Sequence, residues 1–247
     1  MCLIKEVFIN EIEILNLQHA ENIFEQGQVL LINKPLEWTS FDVVKKIRNL
    51  VRIKKVGHAG TLDPLATGLL IVCTGKFTKR INEYMSQEKE YTGRFTLGAV
   101  TPTYDLESKP IEIKDYSHLD KDTIRAATKQ FTGEILQVPP IHSAIKQGGK
   151  PVYQLARRGE DVQLQARKVT IKEFAITAIE LPNVEFRVVC STGTYIRSLA
   201  NDFGKSLGVG GYLASLCRTR IGSFYLKDAM RMEEAEQWIT ESLHNDS

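Results

Sequence analysis

The sequence has few cysteines, no long apolar run and no tract of biased composition. Its four cysteines lie far apart, so no two of them have the close spacing of a zinc site. Disulfide frameworks are typical of small secreted domains, whereas a chain of 247 residues can bury a substantial core. We therefore expect reduced thiols in a cytoplasmic protein. The apolar run at residues 69–73 is only as long as a strand, which argues against a membrane-spanning helix of roughly 20 residues.

Motifs for common cofactors are also missing. A Gly-Lys pair at residues 75–76 resembles the end of a phosphate-binding loop, but Leu70 and Phe77 stand where that loop needs glycine and Ser or Thr. Gly-Val-Gly at residues 208–210 begins like a dinucleotide-binding fingerprint, but Leu213 takes the place of its third glycine. The five histidines show no metal-ligand spacing. The sequence therefore predicts no metal, nucleotide or flavin cofactor.

The small net charge of +2 hides an uneven distribution of charged residues. Residues 27–227 carry 30 basic and 19 acidic residues, a net charge of +11, whereas residues 1–26 and 228–247 are acidic. A basic body between acidic ends indicates a polyanionic partner such as nucleic acid. The alternative is a solvated, lysine-rich surface. Two basic stretches, residues 45–55 and 141–168, are the candidates for contact with phosphates.

Hydrophobic periodicity predicts strands and helices that follow one another irregularly. Helices are expected after Thr39 or Ser40, after Asp120 and after Thr194, because these residue types cap helix N-termini. The glycine-rich residues 57–60 predict a turn. Without regular βαβ units, the pattern favours an α/β fold of the α+β type, with a mixed, largely antiparallel sheet flanked by helices. Strand-like segments lie at residues 28–32, 69–73, 89–98, 169–179, 184–190 and about 213–226, and the basic stretch 141–168 has a short helix near 152–158.

Residues 55–68 combine a glycine-rich loop with an Asp-Pro pair. Pro64 disfavours helical backbone at Asp63 and limits its freedom. The two glycines beside His58 allow another backbone to approach closely. Taken alone, an Asp-Pro pair is most often a turn, and a loop histidine is most often structural.

As a block, residues 55–68 resemble the signature of the TruB-type tRNA pseudouridine synthases. The resemblance spans about residues 27–226 and implies a catalytic domain at 27–227, whose insertion at 141–168 grips RNA. Residues 1–26 are then an extension of unknown role, and the acidic tail at 228–247 is too short for the C-terminal RNA-binding (PUA) domain that many members carry. Four further motifs support the resemblance: a Lys-Pro motif at 31–35, a tyrosine strand at 89–98, the start of the insertion at 138–146 and an arginine motif at 190–199.

The resemblance implies that the chain isomerises uridine to pseudouridine at position 55, in the T arm of tRNA. The target base is flipped out, the C1′–N1 bond is cleaved and C1′ is rejoined to C5, and no cofactor is needed. Asp63 is the implied carboxylate, acting either as a base at C2′ or as a nucleophile. Arg197 would pair with Asp63, and Tyr91 would stack on the uracil near its C5 proton.

The remaining site residues follow from the same resemblance. His58 would fill the gap left by the flipped base, Leu216 would form an apolar pocket wall, and Lys34 would support the Asp63 loop. Tyr195, Lys146, Arg157 and Arg158 complete the implied substrate-binding residues.

In isolation these residues allow simpler interpretations. Arg197 could be a surface arginine paired with Asp202 or a phosphate, Tyr91 a half-buried strand residue, and Leu216 plain core. The alternative functions are a pseudouridine synthase for another RNA, including guide-dependent relatives, and a non-catalytic RNA-binding or RNA-folding protein. Asp63, Tyr91 and Arg197 together favour the enzyme. We expect tRNA as the partner, no membrane, and a monomer.

Overall fold

The computed structural model describes residues 22–141, 146–147, 150–151 and 164–245. The short helix expected near residues 152–158, with Arg157 and Arg158, lies outside the described residues. The side chain of Lys146 is likewise outside this description, although its backbone forms a strand.

Nine of the described strands form one sheet. The path through the sheet is β1-β3-β10-β4-β9-β8-β5, with β2 beside β3 and β11 beside β10; β6 and β7 pair separately. The pairing of β3 with β10 is parallel, and the other pairings among the described strands are antiparallel. This confirms the predicted mixed, largely antiparallel sheet. The strands are β1 (Val29–Lys34), β2 (Val56–His58), β3 (Ala66–Thr74), β4 (Lys89–Leu97), β5 (Gly133–Gln137), β6 (Lys146–Gln147), β7 (Lys150–Pro151), β8 (Arg167–Glu180), β9 (Asn183–Cys190), β10 (Gly211–Ile221) and β11 (Phe224–Tyr225).

Helices flank this sheet. The α-helices are α1 (Ile23–Gln26), α2 (Ser40–Val51), α3 (Ile81–Met85), α4 (Lys121–Ala127), α5 (Ile196–Ser206) and α6 (Met232–Asn245). Short 3-10 helices occupy Gly75–Arg80, Thr128–Phe131 and Leu226–Asp228.

Helix α2 begins as its sequence predicts. The Thr39 side chain accepts a hydrogen bond from the Asp42 backbone N–H at 3.0 Å, and the Asp42 carboxylate accepts one from the Thr39 N–H at 2.9 Å. This reciprocal capping box satisfies two N–H groups that a helix start leaves unpaired. Val43 and Ile47 lie fully buried in a core that also contains Ile239 of α6. The acidic C-terminal segment is therefore a helix whose apolar side packs onto α2.

Helix α5 packs on β10 and on an aromatic cluster. Phe203 of α5 contacts Phe95, which stacks on Phe186 with ring centroids 4.1 Å apart. Gly204 lets the helix lie directly on the chain before β10, since a Cβ there would fall 2.2 Å from the Gly210 carbonyl carbon. This packing fixes the position of α5, and Arg197 lies in its first turn.

Three local predictions were inexact or wrong. Thr194 does not cap α5: the cap residue is Tyr195, without a side-chain hydrogen bond, because the Thr194 hydroxyl donates instead to the Ser191 carbonyl at 2.9 Å. The turn expected at 57–60 begins later, since residues 57–58 pair with β3. The helix expected after Asp120 has the predicted Asp120 cap but continues as 3-10 helix after Ala127.

Candidate active site

The loop between β2 and β3 carries Asp63 and is held by the start of α2. The Ser40 hydroxyl accepts a hydrogen bond from the Leu62 N–H at 2.8 Å and lies 3.2 Å from the Leu62 carbonyl. The Glu37 N–H donates to the Pro64 carbonyl at 2.9 Å. The two residues that flank Asp63 in the chain are therefore both fixed by backbone hydrogen bonds.

Lys34 is fully buried behind this loop and does not line the cleft described below. Its Nζ donates to the carbonyls of Pro35 at 2.8 Å, Trp38 at 2.5 Å and Pro64 at 3.3 Å. Burial lowers the pKa of Lys34 to about 8, with the Asp63 charge acting in the opposite direction. The contacts fit support of the loop rather than direct contact with a substrate.

Arg197 forms a forked ion pair with Asp63. Its Nε lies 3.0 Å from Asp63 Oδ2, and its Nη2 lies 3.3 Å from Oδ1. The Arg197 residue is 4% exposed, so the alternative of a surface arginine paired with Asp202 does not hold. Two contacts from one guanidinium fix the orientation of a carboxylate more firmly than a single contact can.

A second carboxylate, Asp105, completes the surroundings of Arg197 and was not foreseen from the sequence. Arg197 Nη1 lies 3.6 Å from Asp105 Oδ2 and donates to the Thr103 carbonyl at 3.3 Å. Asp105 is 3% exposed, and its other oxygen accepts from the Glu107 N–H at 3.0 Å. Asp105 therefore holds the guanidinium from the side away from Asp63.

These neighbours act on the Asp63 carboxyl in opposite directions. Burial raises the pKa of Asp63, the Arg197 charge lowers it, and the Asp105 charge raises it. Burial is the largest of the three effects, so the pKa stays above the ordinary value of a carboxyl group. Without Arg197, the ionised form of Asp63 would be less favourable still.

Tyr91 lies on β4 and faces the same cleft as Asp63. It is 8% exposed, and burial raises the pKa of its hydroxyl, while the Arg218 charge lowers it. Arg218 stands directly opposite Tyr91 in the pairing of β4 with β10. The ring is thus buried in the wall of the cleft rather than half-exposed on a strand.

The cleft has a volume of about 460 Å³, within the range of small-molecule pockets. Both apolar and ionic groups line it, so a flat base could rest on its apolar wall while its ribose meets the carboxylate. The predicted residues that line it are Asp63, Tyr91, Tyr195, Arg197 and Leu216, and the others include Lys89, Glu107, residues 191–194 and Arg218.

Tyr195 is positioned through its backbone. The buried Gln137 side chain accepts from the Tyr195 N–H at 2.7 Å and donates to its carbonyl at 3.0 Å. Gln137 is the last residue of edge strand β5, so its side chain joins the end of β5 to the start of α5. Nothing in the periodicity singled it out.

His58 does not line this cleft. It ends β2 opposite Val72, partly buried, and burial followed by the Arg218 charge lowers its pKa. A neutral imidazole results at physiological pH, which suits stacking on a base more than contact with phosphate. Its predicted role at the gap left by a flipped base stays a prediction.

Two buried cations in the cleft wall were also missed. Arg218 is 1% exposed and donates to the carbonyls of Leu69, Gly60 and Thr61 at 2.8, 3.1 and 3.5 Å. Lys89 is 5% exposed, its Nζ donates to the carbonyls of Gln87 at 2.6 Å and Met85, and burial lowers its pKa to about 8. Arginine and lysine are mostly exposed in proteins, so residue type alone did not indicate that these two are buried beside the cleft.

Within the described ranges, no group of three or more His, Cys, Asp or Glu side chains could hold a metal ion. In that same part of the chain, no helix is both long and apolar enough to cross a membrane.

Comparison with known proteins identifies the family. Residues 48–196 match the model of the TruB family pseudouridylate synthase (N terminal domain). The chain is 54% identical over 212 residues to "tRNA pseudouridine synthase B" of Flavobacterium johnsoniae, covering 83% of this chain and 93% of that protein. It is 47% identical to the protein of the same name from Phocaeicola vulgatus, covering 87% of this chain and 94% of that protein.

Solved structures agree in fold. A Cbf5-Nop10-Gar1 complex contains a chain that matches with a TM-score of 0.72 and 28% identity over 92% of this chain. An H/ACA RNP bound to a substrate RNA containing 2'-deoxyuridine matches with a TM-score of 0.68 and 26% identity over 91% of this chain. The chain spans 59% and 57% of the lengths of those two proteins. The fold and these relatives define the class as the pseudouridine synthases. Within that class, the chain belongs to the TruB family.

Proposed function

We propose that this protein isomerises uridine to pseudouridine in tRNA, at position 55 of the T arm. The observation that carries the proposal is the forked Asp63–Arg197 pair in a 460 Å³ cleft that Tyr91 and Leu216 also line. A chain 54% identical over most of its length bears the name tRNA pseudouridine synthase B, which supports tRNA as the substrate.

Asp63 starts the chemistry in this proposal. As a nucleophile, its carboxylate forms a bond to C1′ while the C1′–N1 bond breaks; as a base, it takes the proton from C2′. Either role needs the ionised carboxylate, which burial disfavours and Arg197 favours. The guanidinium thus supplies both charge and orientation.

The detached uracil turns within the cleft and presents C5 to C1′. Tyr91 stacks on the base and lies near the C5 proton that must leave after the new bond forms. Leu216 offers an apolar contact on the same wall. The base is retained and the reaction is redox-neutral, so the protein's own residues account for every step without a cofactor.

A base inside folded RNA must first leave its stack to enter this cleft. We assign His58 to the gap that the flipped base leaves, and Tyr195 to the rim of the cleft. Lys146, Arg157 and Arg158 of the insertion bind the phosphates of the T arm, while Lys34 supports the Asp63 loop. Action as a monomer in the cytoplasm belongs to the same proposal.

The direct test uses an unmodified tRNA transcript and a matched transcript in which cytidine replaces the T-arm uridine. Incubation with the protein should place one pseudouridine at the T-arm position of the first transcript and none in the second. Pseudouridine in another RNA, with neither transcript modified, would favour the second candidate, a sister synthase.

A further inference from the structure

Arg218 is a buried cation in the wall of the cleft. It lies on β10, is 1% exposed, and forms no ion pair with a carboxylate among the described residues. Carbonyl oxygens satisfy its guanidinium instead. A charge held out of water without a counter-ion is costly, so its place beside a reactive site points to a role in the chemistry.

The first contacts of Arg218 reach the loop that carries Asp63. Its Nη2 donates to the Gly60 carbonyl at 3.1 Å, and its Nη1 lies 3.5 Å from the Thr61 carbonyl. Its Nε donates to the Leu69 carbonyl of β3 at 2.8 Å. One planar guanidinium therefore joins the two residues Gly60 and Thr61, which precede Asp63 in the loop, to strand β3, which follows the loop.

The backbone of Arg218 is held equally closely. Gly68 has a φ of +102°, and a Cβ at that position would fall 2.4 Å from the Arg218 carbonyl oxygen. Gly68 and Arg218 are also partners in the parallel pairing of β3 with β10. Glycine at this position lets β10 approach the Asp63 loop closely enough for the guanidinium to reach it.

A further contact of Arg218 reaches Tyr91. The two residues are direct partners in the antiparallel pairing of β4 with β10, so their side chains project from the same face of the sheet. The Arg218 charge lowers the pKa of the Tyr91 hydroxyl, against the larger effect of burial. Arg218 thus contacts the loop of the implied carboxylate and is the cross-strand neighbour of the implied base.

We propose that Arg218 is a positioning residue for the isomerisation: it holds the Asp63 loop and, as the cross-strand neighbour of Tyr91, fixes the position of Tyr91 relative to that loop. The inference rests on the proposed function. Arg218 itself makes no bond to the substrate in this account. Its cation favours the proton-accepting form of Tyr91 and its donors fix the loop, so losing it slows the reaction without weakening RNA binding.

The test compares Arg218→Gln and Arg218→Lys with wild type in single-turnover reactions at saturating RNA. Arg187→Gln is the matched control, because Arg187 is an ion-paired arginine of the same sheet that does not line the cleft. We expect Arg218→Gln to lower the rate by about 10² or more, the scale of a positioned catalytic group, with an unchanged dissociation constant for RNA. Arg218→Lys should rescue only part of the loss, since one ammonium cannot reproduce the separate contacts of the guanidinium with Gly60, Thr61 and Leu69. The control should react at the wild-type rate.

A double-mutant cycle with Tyr91→Phe supplies the readout that a purely structural role would not move. If Arg218 acts through the Tyr91 hydroxyl, Arg218→Gln should cost at least about tenfold less in the Tyr91→Phe background than in wild type. Equal costs in both backgrounds, or an Arg218→Gln rate close to wild type, would overturn the proposal. Failure of both variants to fold would assign Arg218 to stability alone and would overturn it too. A wild-type protein that forms no pseudouridine would instead refute the proposed function.

Discussion

Arg197 holds Asp63 by two contacts, Nε to Oδ2 at 3.0 Å and Nη2 to Oδ1 at 3.3 Å, across 134 residues of sequence. Arg197 is buried and lies in the first turn of α5, a helix that packs on an aromatic cluster. Asp63 lies on a loop pinned by α2 and by two buried cations, Lys34 and Arg218. The pair therefore joins two independently held parts of the fold at one side of the cleft.

Arg197→Lys tests whether both contacts of Arg197 with Asp63 are needed for the reaction. Lysine keeps the charge but presents one ammonium, so it cannot hold both oxygens of Asp63 in the same geometry. We expect the single-turnover rate to fall by roughly 10² or more, as for a misplaced catalytic group, while RNA affinity is retained. Filter binding and rapid-quench assays on one transcript measure both quantities. A rate within a few-fold of wild type would mean that charge alone suffices.

The pH dependence of the reaction should report the neighbours of Asp63. Because burial raises the pKa of Asp63, the rate should be lost on acidification at a pH above the ordinary carboxyl value of about 3.9. Removing the Arg197 charge with Arg197→Gln should raise the Asp63 pKa further and shift this acid limb to higher pH. Asp105→Asn removes the charge that raises the pKa, so it should shift the limb to lower pH.

The two Asp63 neighbours thus serve as controls for each other, since general damage to the site would not move the limb in opposite directions. Single-turnover rates measured from about pH 4 to 8 give the acid limb of each variant. Shifts of the same sign in the two variants would show that the acid limb belongs to another group.

Tyr91 should show separable roles for its ring and its hydroxyl. Tyr91→Phe keeps the ring, and loss of a general base should cost roughly 10² to 10⁴ in rate on uridine. With 5-fluorouridine there is no C5 proton to remove, so the steps up to C–C bond formation should survive in Tyr91→Phe. Tyr91→Leu also removes the stacking face and should impair both substrates. Near-normal turnover of uridine by Tyr91→Phe would make Tyr91 a stacking residue only.

The insertion should account for a measurable share of RNA binding. Neutralising Arg157 and Arg158 together should weaken binding and flatten its salt dependence, by up to about 0.9 log unit for each duplex phosphate that the protein no longer neutralises. The matched control neutralises Lys121 and Arg125, two basic residues of α4 away from the cleft. Equal salt slopes for the two double variants would place the phosphate-binding residues elsewhere.

Much of the fold followed from local pattern. The alternation of residues 89–98 predicted β4, and the Thr39 cap with its apolar helix face predicted α2, because both signals are contained in a few consecutive residues. The order of strands was not predicted, since β10 lies between β3 and β4 through pairings distant in sequence. Thr194 misled because its hydroxyl has a competing local acceptor.

The site divides in the same way. Asp63, Tyr91 and Arg197 were named from family resemblance, and the fold brings all three to one cleft. Asp105 and Arg218 were missed because a charged residue's burial depends on which backbone groups the tertiary fold sets around it. A carbonyl-rich environment, such as the loop at Gly60 and Thr61, has no signature in residue types.

The central claim is that Asp63 starts the isomerisation, and Asp63→Asn tests it most directly. Asparagine keeps the size and most hydrogen bonding of the side chain but removes its charge. In single-turnover reactions with a T-arm transcript, we expect no detectable pseudouridine from Asp63→Asn, with RNA affinity close to wild type because the groups that bind phosphate and stack on the base lie elsewhere. Turnover within about tenfold of wild type, far short of the loss of 10² or more expected for a positioned catalytic group, would contradict the account.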